Sequence, residues 1–256
     1  MVRFTFLGTG TSQGIPVIGC PCETCQSTDS KDKRLRTSGM LEHKGRCFVF
    51  DTGPDFRQQM LRHEVKDIDA ILLTHKHKDH LAGLDDVRPF NFRHQKDMPI
   101  YTDAHTIDHL HMEFYYIFEP NPYPGIPKLI LHEIDETPFS IGDTHFTPIR
   151  VLHHKLTVWG FRVENFAYVT DASYIPPSSM ERLKGLDVLV LNALRHKPHI
   201  SHFSLTEAIE IVEKLKPKQA YFVHMSHDMG KHADVMASLP PNIELAYDGL
   251  VVESGN

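Results

Sequence analysis

Three histidines and an aspartate crowd six positions in LLTHKHKDHLAGL, residues 72–84: His75, His77, Asp79 and His80. All four are metal-ligand types. His75 and His77 could not share a helix face, because only residues three or four apart do so. At the end of the apolar stretch DAILLTH they can converge, and DHLAGLDDV beyond looks helical. A strand-to-helix loop can therefore aim all four side chains into one cleft. Mixed imidazole and carboxylate donors suit Zn, Mn, Fe or Ni rather than Ca. Ligands this close in sequence do not easily close on one ion, since tetrahedral sites usually draw on separated segments. Two ions share them more easily, and each then needs donors from elsewhere. Three further predicted strands end in such donors: His153 in VLHHKLT, Asp171 in YVTDAS and His224 in YFVHMSH. His154 rivals His153, and the two face opposite ways if the segment is extended. An aspartate between two cations can bridge them. Ions roughly 3.5–4 Å apart can hold a hydroxide as nucleophile and clamp a phosphoryl or carbonyl oxygen.

The segment GCPCETC adds Cys20, Cys22 and Cys25, a thiolate knuckle one ligand short of a tetrahedral zinc. Cys47 sits in the apolar RCFVF, where a lone cysteine is most often a small buried hydrophobe. His227, three residues past His224, is the better fourth ligand. HMSH would then place one histidine on the catalytic pair and the other on a structural ion. The remaining histidines, His63, His94, His105, His109, His132 and His232 among them, read as core or surface residues.

The elements that must position these groups are short. RFTFLGTG, RCFVFDTG, DAILLTH and PIYTD read as strands, with DFRQQMLRHEV as a helix and HTIDHLHMEFYYIF as a helix or lid. KLILHEI, PFSIGDTHFTPIRVLHH and VWGFRVENFAYVTDAS look like strands joined by tight turns at 142–143 and 164–165. The last third alternates helix and strand through SSMERLKGL, DVLVLNAL, SLTEAIEIVEKLK, QAYFVHMS, KHADVMASL and IELAYDGLVVE. Ser204 and Glu207 make an S-x-x-E capping box that fixes one helix start. The Pro-rich EPNPYPGIPK, 119–128, is a loop that could shape a substrate entrance. Sheets inside and helices outside imply layered α/β in one domain, residues 1–256.

Composition narrows the chemistry further. Nineteen histidines in 256 residues favour metal binding, and a formal charge of −6 argues against a long nucleic acid as partner. The start, MVRFTFLGTG, does not read as a signal peptide, and no apolar run reaches the length of a membrane span. A cytoplasmic protein is expected, in which four cysteines serve as thiols or metal ligands rather than disulfides.

T-H-x-H-x-D-H after an apolar strand, followed by His, Asp and His in that order, resembles the metallo-β-lactamase superfamily. TGTS near the start and FDTG at 50–53 match its pattern too. The resemblance implies a four-layer αβ/βα sandwich with a dinuclear site between the sheets. One ion would take His75, His77 and His153; the other would take Asp79, His80 and His224, with Asp171 bridging. Together with GCPCETC, HHKLTVWGF, SHFSL and HMSH, the sequence resembles the PhnP-like phosphodiesterase branch, which acts on a cyclic phosphoribosyl ester. That branch implies two divalent ions (Zn or Mn), a structural zinc on Cys20, Cys22, Cys25 and His227, and a homodimer. It also assigns His202 in HISHFSL to the leaving group or transition state, with His199 as the neighbour to be distinguished from it. A positioned imidazole can protonate a departing alkoxide, worth typically about 10²–10⁴ in rate. Asp79 and Asp171 would position the nucleophile. Arg88, Arg93, Lys155 and Arg195 are candidate secondary phosphate contacts.

The expected function is hydrolysis of a small phosphodiester. Thioester or lactone hydrolysis on the same site is the alternative. Ribonuclease Z shares the histidine motif but holds tRNA with an inserted arm, and no comparable basic insertion is present. A protein of pyrroloquinoline quinone biosynthesis carries a similar knuckle with a degraded histidine motif. A non-catalytic metal-binding carrier is the non-enzymatic alternative, and the complete His/Asp set here argues against it.

Overall fold

Strands that alternate phenylalanine with β-branched or leucine residues bury both faces, and that pattern recurs through this chain. In Arg46–Phe50, Phe48 and Phe50 point one way and Val49 the other. In Val188–Asn192, Val188 and Val190 face one core and Leu189 and Leu191 another. Such strands need a layer on each side. The computed structural model, which describes residues 1–120 and 123–255, supplies them.

Strands are numbered in chain order. One sheet runs β14-β1-β2-β3-β4-β5-β6 and the other β13-β12-β11-β10-β9-β8-β7. The first holds β1 (Val2–Gly8), β2 (Ser38–His43), β3 (Arg46–Phe50), β4 (Ala70–Leu72), β5 (Met98–Thr102), β6 (Leu129–Glu133) and β14 (Val251–Ser254). The second holds β7 (Phe139–Ile141), β8 (Thr144–His153), β9 (Leu156–Val163), β10 (Phe166–Tyr168), β11 (Val188–Asn192), β12 (Gln219–Val223) and β13 (Ile243–Leu245). Between them lies an aromatic core in which Phe4, Phe48 and Phe50 meet Phe146, Phe161, Phe166 and Tyr168. Phe50 stacks on Tyr168 with ring centres 5.0 Å apart. The helices α2 (Phe56–Arg62), α4 (Arg88–His94) and α5 (Ala104–Glu113) cover the outside of the first sheet. The helices α6 (Pro177–Arg182), α7 (Leu205–Leu215) and α8 (His232–Met236) cover the second. The result is the expected four-layer αβ/βα sandwich. Two one-turn helices, α1 (Glu23–Gln26) and α3 (Lys78–Leu81), carry candidate ligands instead of covering a sheet. The capping box forms as expected: Ser204 Oγ accepts from Glu207 N, and Glu207 Oε2 accepts from Ser204 N at 2.8 Å.

Two sequence readings are corrected. IELAYDGLVVE is not one strand. β13 edges the second sheet and β14 the first, with a turn at Gly249 (φ +93°) between them. Asp248 anchors that crossing by accepting from Thr9 Oγ1 and Leu35 N, both at 2.8 Å. β2 is a strand the pattern did not reveal. Its Gly39 lets Phe4 lie against the backbone, since a Cβ there would meet the ring at 2.2 Å. In the loop expected at 119–128, Asn121 and Pro122 lie outside the described residues, and 123–128 form neither helix nor strand. No helix among the described residues is long and apolar enough to cross a membrane.

Parallel pairing is what builds the functional edge. β3 to β6 run parallel, and so do β10 to β13. Their carboxyl ends therefore open on a common edge of each sheet, where α/β folds place ligands.

Candidate functional site

Asp51 follows β3, His75 follows β4, Asp171 follows β10 and His224 follows β12. Asp51, Asp171 and His224 all have left-handed backbone (φ +63°, +54° and +61°). That region costs a non-glycine residue on the order of 1 kcal/mol or more, and such strain gathers at functional sites. Here it turns each side chain back over the sheet edge. Asn192, at the end of β11, clamps the turn after Asp171. Its Oδ1 accepts from Ala172 N at 2.7 Å, and its Nδ2 donates to Ala172 O at 3.0 Å.

Asp171 is the centre of the arrangement and is buried. Its Oδ2 lies 2.6 Å from His80 Nε2 and 3.4 Å from His75 Nε2. Its Oδ1 lies 2.9 Å from His224 Nε2 and 3.6 Å from His202 Nδ1. Asp79 Oδ2 is 3.3 Å from His80 Nε2 and 3.6 Å from His224 Nε2. Asp79, His80, Asp171 and His224 thus bring one donor atom each within 4.8 Å of one another. His80 Nε2 and His224 Nε2 are buried and, despite these short separations, lack the alignment of a hydrogen bond. Buried donors that approach each other without bonding fit a set aimed at a common cation, and two carboxylates with two imidazoles suit a divalent transition metal.

Hydrogen bonds behind the cluster fix which ring nitrogen faces it. Asp51 is fully buried, and its carboxylate can only accept. Thr74 N donates to Asp51 Oδ1 at 2.8 Å, while the Thr74 hydroxyl (3.0 Å) and His80 Nδ1 (2.7 Å) donate to Oδ2. His80 therefore carries its proton on Nδ1 and offers Nε2. The Thr74 oxygen, its proton committed to Asp51, accepts from His75 Nδ1 at 3.0 Å, which frees His75 Nε2 in the same way. His153 Nδ1 donates to Ser201 O at 2.7 Å. Carboxylate–histidine pairs of this kind orient metal ligands and raise their basicity.

Electrostatics pull these groups together. Burial disfavours charge on Asp171, yet His224 and His80 hold its carboxyl well below the usual carboxylate range. Burial likewise opposes a charged His80, but Asp171, Asp79 and Asp51 raise it well above the usual imidazole value. His224 rises to about 9 for the same reason, against its burial. Burial, aided by His80, pushes His75 well down. Burial and then His224 lower His202 to about 3. The two carboxylates thus draw positive charge onto His80 and His224, and a bound cation would take the place of those protons.

His75, His77 and His153 stand at one side of this quartet. His75 Nε2 is 2.9 Å from His77 Nδ1, and the His153 ring is centred 5.0 Å from that of His77 and 5.8 Å from that of His75. They do not form a further set as tight as the quartet among the described residues. His154 is exposed at a left-handed turn (φ +56°) and faces away from the extended strand. The His202 ring lies 4.4 Å from that of His153 and 4.8 Å from that of His224, whereas the His199 ring lies 5.3 Å from that of His202 and its Nδ1 accepts from Ser201 N. Arg88 pairs with Asp85 and Arg195 with Asp228, while Lys155 is exposed in the turn after His154.

The knuckle is a separate cluster. His227 Nδ1 lies 3.3, 3.4 and 3.7 Å from the sulfurs of Cys20, Cys22 and Cys25. The Cys25 N–H donates to Cys22 Sγ, which, with His227 and against the opposing effect of burial, lowers that thiol to about 6. Burial raises Cys25 to about 11. Cys47 stays in β3, beside Asp69. His224 of the cluster and His227 of the knuckle are three residues apart, and the chain between them is tied to the loop after β1 at Met225, whose O accepts from Thr11 N and whose N donates to Thr9 O.

Sequence reasoning missed Asp51, Thr74, Asn192 and the Ser201 carbonyl. FDTG and the polar end of DVLVLN were visible, but their roles depend on strand pairing that no local pattern encodes.

Comparison with known proteins places this geometry. The beta-lactamase superfamily domain model matches residues 46–225. A crystal structure of a diphosphatase from the PhnP family superposes with a TM-score of 0.93 at 43% identity, covering 100% of this chain and 98% of that one. Zn²⁺-bound PqqB from Methylobacterium extorquens shares the fold, with a TM-score of 0.79 at 17% identity over 98% of this chain and 99% of that one. An octanoyltransferase of Porphyromonas gingivalis is 37% identical over 252 residues, 97% of this chain but 51% of that protein. The chain thus spans about half the length of that relative.

Proposed function

The chain belongs to the beta-lactamase superfamily and, within it, to the PhnP family of metal-dependent hydrolases, and on that premise we propose that it hydrolyses a small phosphodiester at a dinuclear centre. The observation that carries this reading is the position of Asp171 between two groups of donors. It belongs to the tight quartet with Asp79, His80 and His224, and its Oδ2 also lies 3.4 Å from His75 Nε2, which stands with His77 and His153. A carboxylate shared between the two groups suits a bridging role. His75, His77 and His153 would hold one ion, and Asp79, His80 and His224 the other. Cys20, Cys22, Cys25 and His227 would hold a structural zinc.

Bound divalent ions lower the pKa of a water towards neutrality and neutralise phosphoryl oxygens. The protein's own part is positional. Asp51 and Thr74 hold His80 and His75 in the tautomer that presents Nε2. Asp79 and Asp171 would orient the attacking water. His202, 11% exposed at its side chain and beside His153 and His224, is held neutral and would donate an N–H hydrogen bond to the departing oxygen, stabilising the charge that develops there.

Thioester hydrolysis is the second reading, because the same donor set would polarise a carbonyl and the octanoyltransferase relative covers nearly all of this chain. Turnover of bis-p-nitrophenyl phosphate against an acyl thioester, with Mn or Zn supplied, separates the two. Hydrolysis of the phosphodiester alone supports the proposal, and hydrolysis of the thioester alone replaces it. Under either reading His77→Ala and Asp79→Ala lose turnover while keeping the circular dichroism of the parent.

A further inference from the structure

On the outer face of the first sheet, away from the metal cluster, two helices leave a groove between them. Arg57, Met60 and Leu61 of α2 share one helix face by their spacing of three and four, and Val65 follows. Asp86, Pro89, Phe90 and Arg93 share the facing side of α4 and of the turn before it, at spacings of three, four and seven. These residues line a cavity of about 250 Å³. Its floor is apolar: Met60 and Phe90 are each 7% exposed, while Leu61 on its edge is 61% exposed.

The rim is what gives the groove a chemistry. On the same two helices, Arg62 pairs with Asp248 and Arg88 with Asp85. Arg57 and Arg93 are exposed and take part in no ion pair among the described residues. The chain as a whole is acidic, so two uncommitted guanidinium groups over an apolar floor stand out from their surroundings. Asp86 on the same rim leaves one net positive charge, which favours a monoanion over a dianion.

We propose that this groove binds a small monoanionic amphiphile, an aliphatic carboxylate with its head between Arg57 and Arg93 and its tail on Met60, Leu61, Val65, Pro89 and Phe90. A concave apolar surface with a few convergent polar groups is the usual form of a small-molecule site. Guanidinium groups supply the charge-assisted, forked hydrogen bonds that carboxylates prefer. α2 begins five residues after Asp51 and α4 eight residues after His80, but none of the groove's lining residues belongs to the metal cluster.

Heptanoate, heptan-1-ol and heptylamine are suitable probes, titrated into the metal-loaded full chain and followed by amide chemical shifts and thermal shift. Heptanoate is expected to move resonances of 57–65 and 86–93 and to bind at least about tenfold more tightly than heptanol. Arg57→Gln with Arg93→Gln should abolish that preference for the carboxylate, and Leu61→Glu should weaken heptanoate by about tenfold while leaving turnover unchanged. Shifts confined to the 75–80 loop and His224 would mean that the carboxylate is captured by the metal centre, which overturns the proposal. So would equal binding of heptanol, or heptanoate binding indifferent to both arginines.

Discussion

Replacing Asp51 by asparagine changes one buried oxygen into an NH₂ group and leaves the side chain's shape nearly intact. Asp51 Oδ1 accepts from Thr74 N, and an asparagine oxygen can keep that bond. The NH₂ group must then stand where Oδ2 receives His80 Nδ1 at 2.7 Å and the Thr74 hydroxyl at 3.0 Å. Two donors now face a donor. His80 relieves the conflict by moving its proton to Nε2, the atom that lies 2.6 Å from Asp171. A protonated Nε2 cannot ligate a metal. Partners of ligating histidines typically contribute about 10–100-fold in metal affinity, which is roughly 1.4–2.8 kcal/mol. The upper end applies here, because Asp51 is fully buried and supports His75 as well, through Thr74. The assay is a competitive Zn or Mn titration of wild type and Asp51→Asn, with thermal unfolding of the metal-free proteins as a control for folding. A metal affinity within about twofold of wild type, in a variant that folds normally, would refute the reasoning.

Other outcomes follow from single contacts. A Cβ on Gly53 would lie 2.0 Å from the Asp79 carbonyl oxygen, so Gly53→Ala should cost about 1–3 kcal/mol in urea unfolding and loosen the 77–80 loop. Cys25→Ser should remove one zinc per chain by elemental analysis and lower the melting temperature by about 5 °C or more, because the knuckle ties the 20–25 loop to His227, three residues past His224. His232 is held down to about 4 by its burial and by Arg34. The unfolded chain protonates this histidine near its ordinary value and the folded chain does not, so its stabilising effect is complete above about pH 6.5 and is lost as pH falls towards 4. The loss should amount to about 2 kcal/mol, and a His232→Gln variant, compared with wild type by denaturation at pH 7 and pH 4.5, should lack that part of the acid sensitivity.

Much of the site could be read from the sequence because its donors end strands. The apolar DAILLTH, FAYVTD and QAYFVH segments announce buried strands, and each stops at or beside a ligand-type residue, His75, Asp171 or His224. The cysteine knuckle and His227 were legible for a different reason, a short loop with few ways to fold. Asp51 was not legible as a positioning residue. Its role requires β3 and β4 to lie parallel and in register, with Phe50 opposite Leu72, so that Thr74 and His80 reach back to it. β2 escaped notice because SGMLEH is nearly all buried yet carries polar residues at both ends, so neither periodicity shows. The crossing from β13 to β14 was read as one strand because apolar residues continue through AYDGLVV. Bonds distant in sequence, among them those of Asp248 with Thr9 and Leu35 and of Gly249 N with Phe6 O, turn the chain from one sheet to the other.

In the proposed centre Asp171 lies between two cations, and anomalous scattering from crystals grown with Zn or Mn will show where they sit. Two peaks are expected roughly 3.5–4 Å apart, one on the His75, His77 and His153 side of Asp171 and one on the Asp79, His80 and His224 side, with a third at Cys20, Cys22, Cys25 and His227. A single peak within the Asp79, His80, Asp171 and His224 quartet, with His77 and His153 left without an ion, would contradict it.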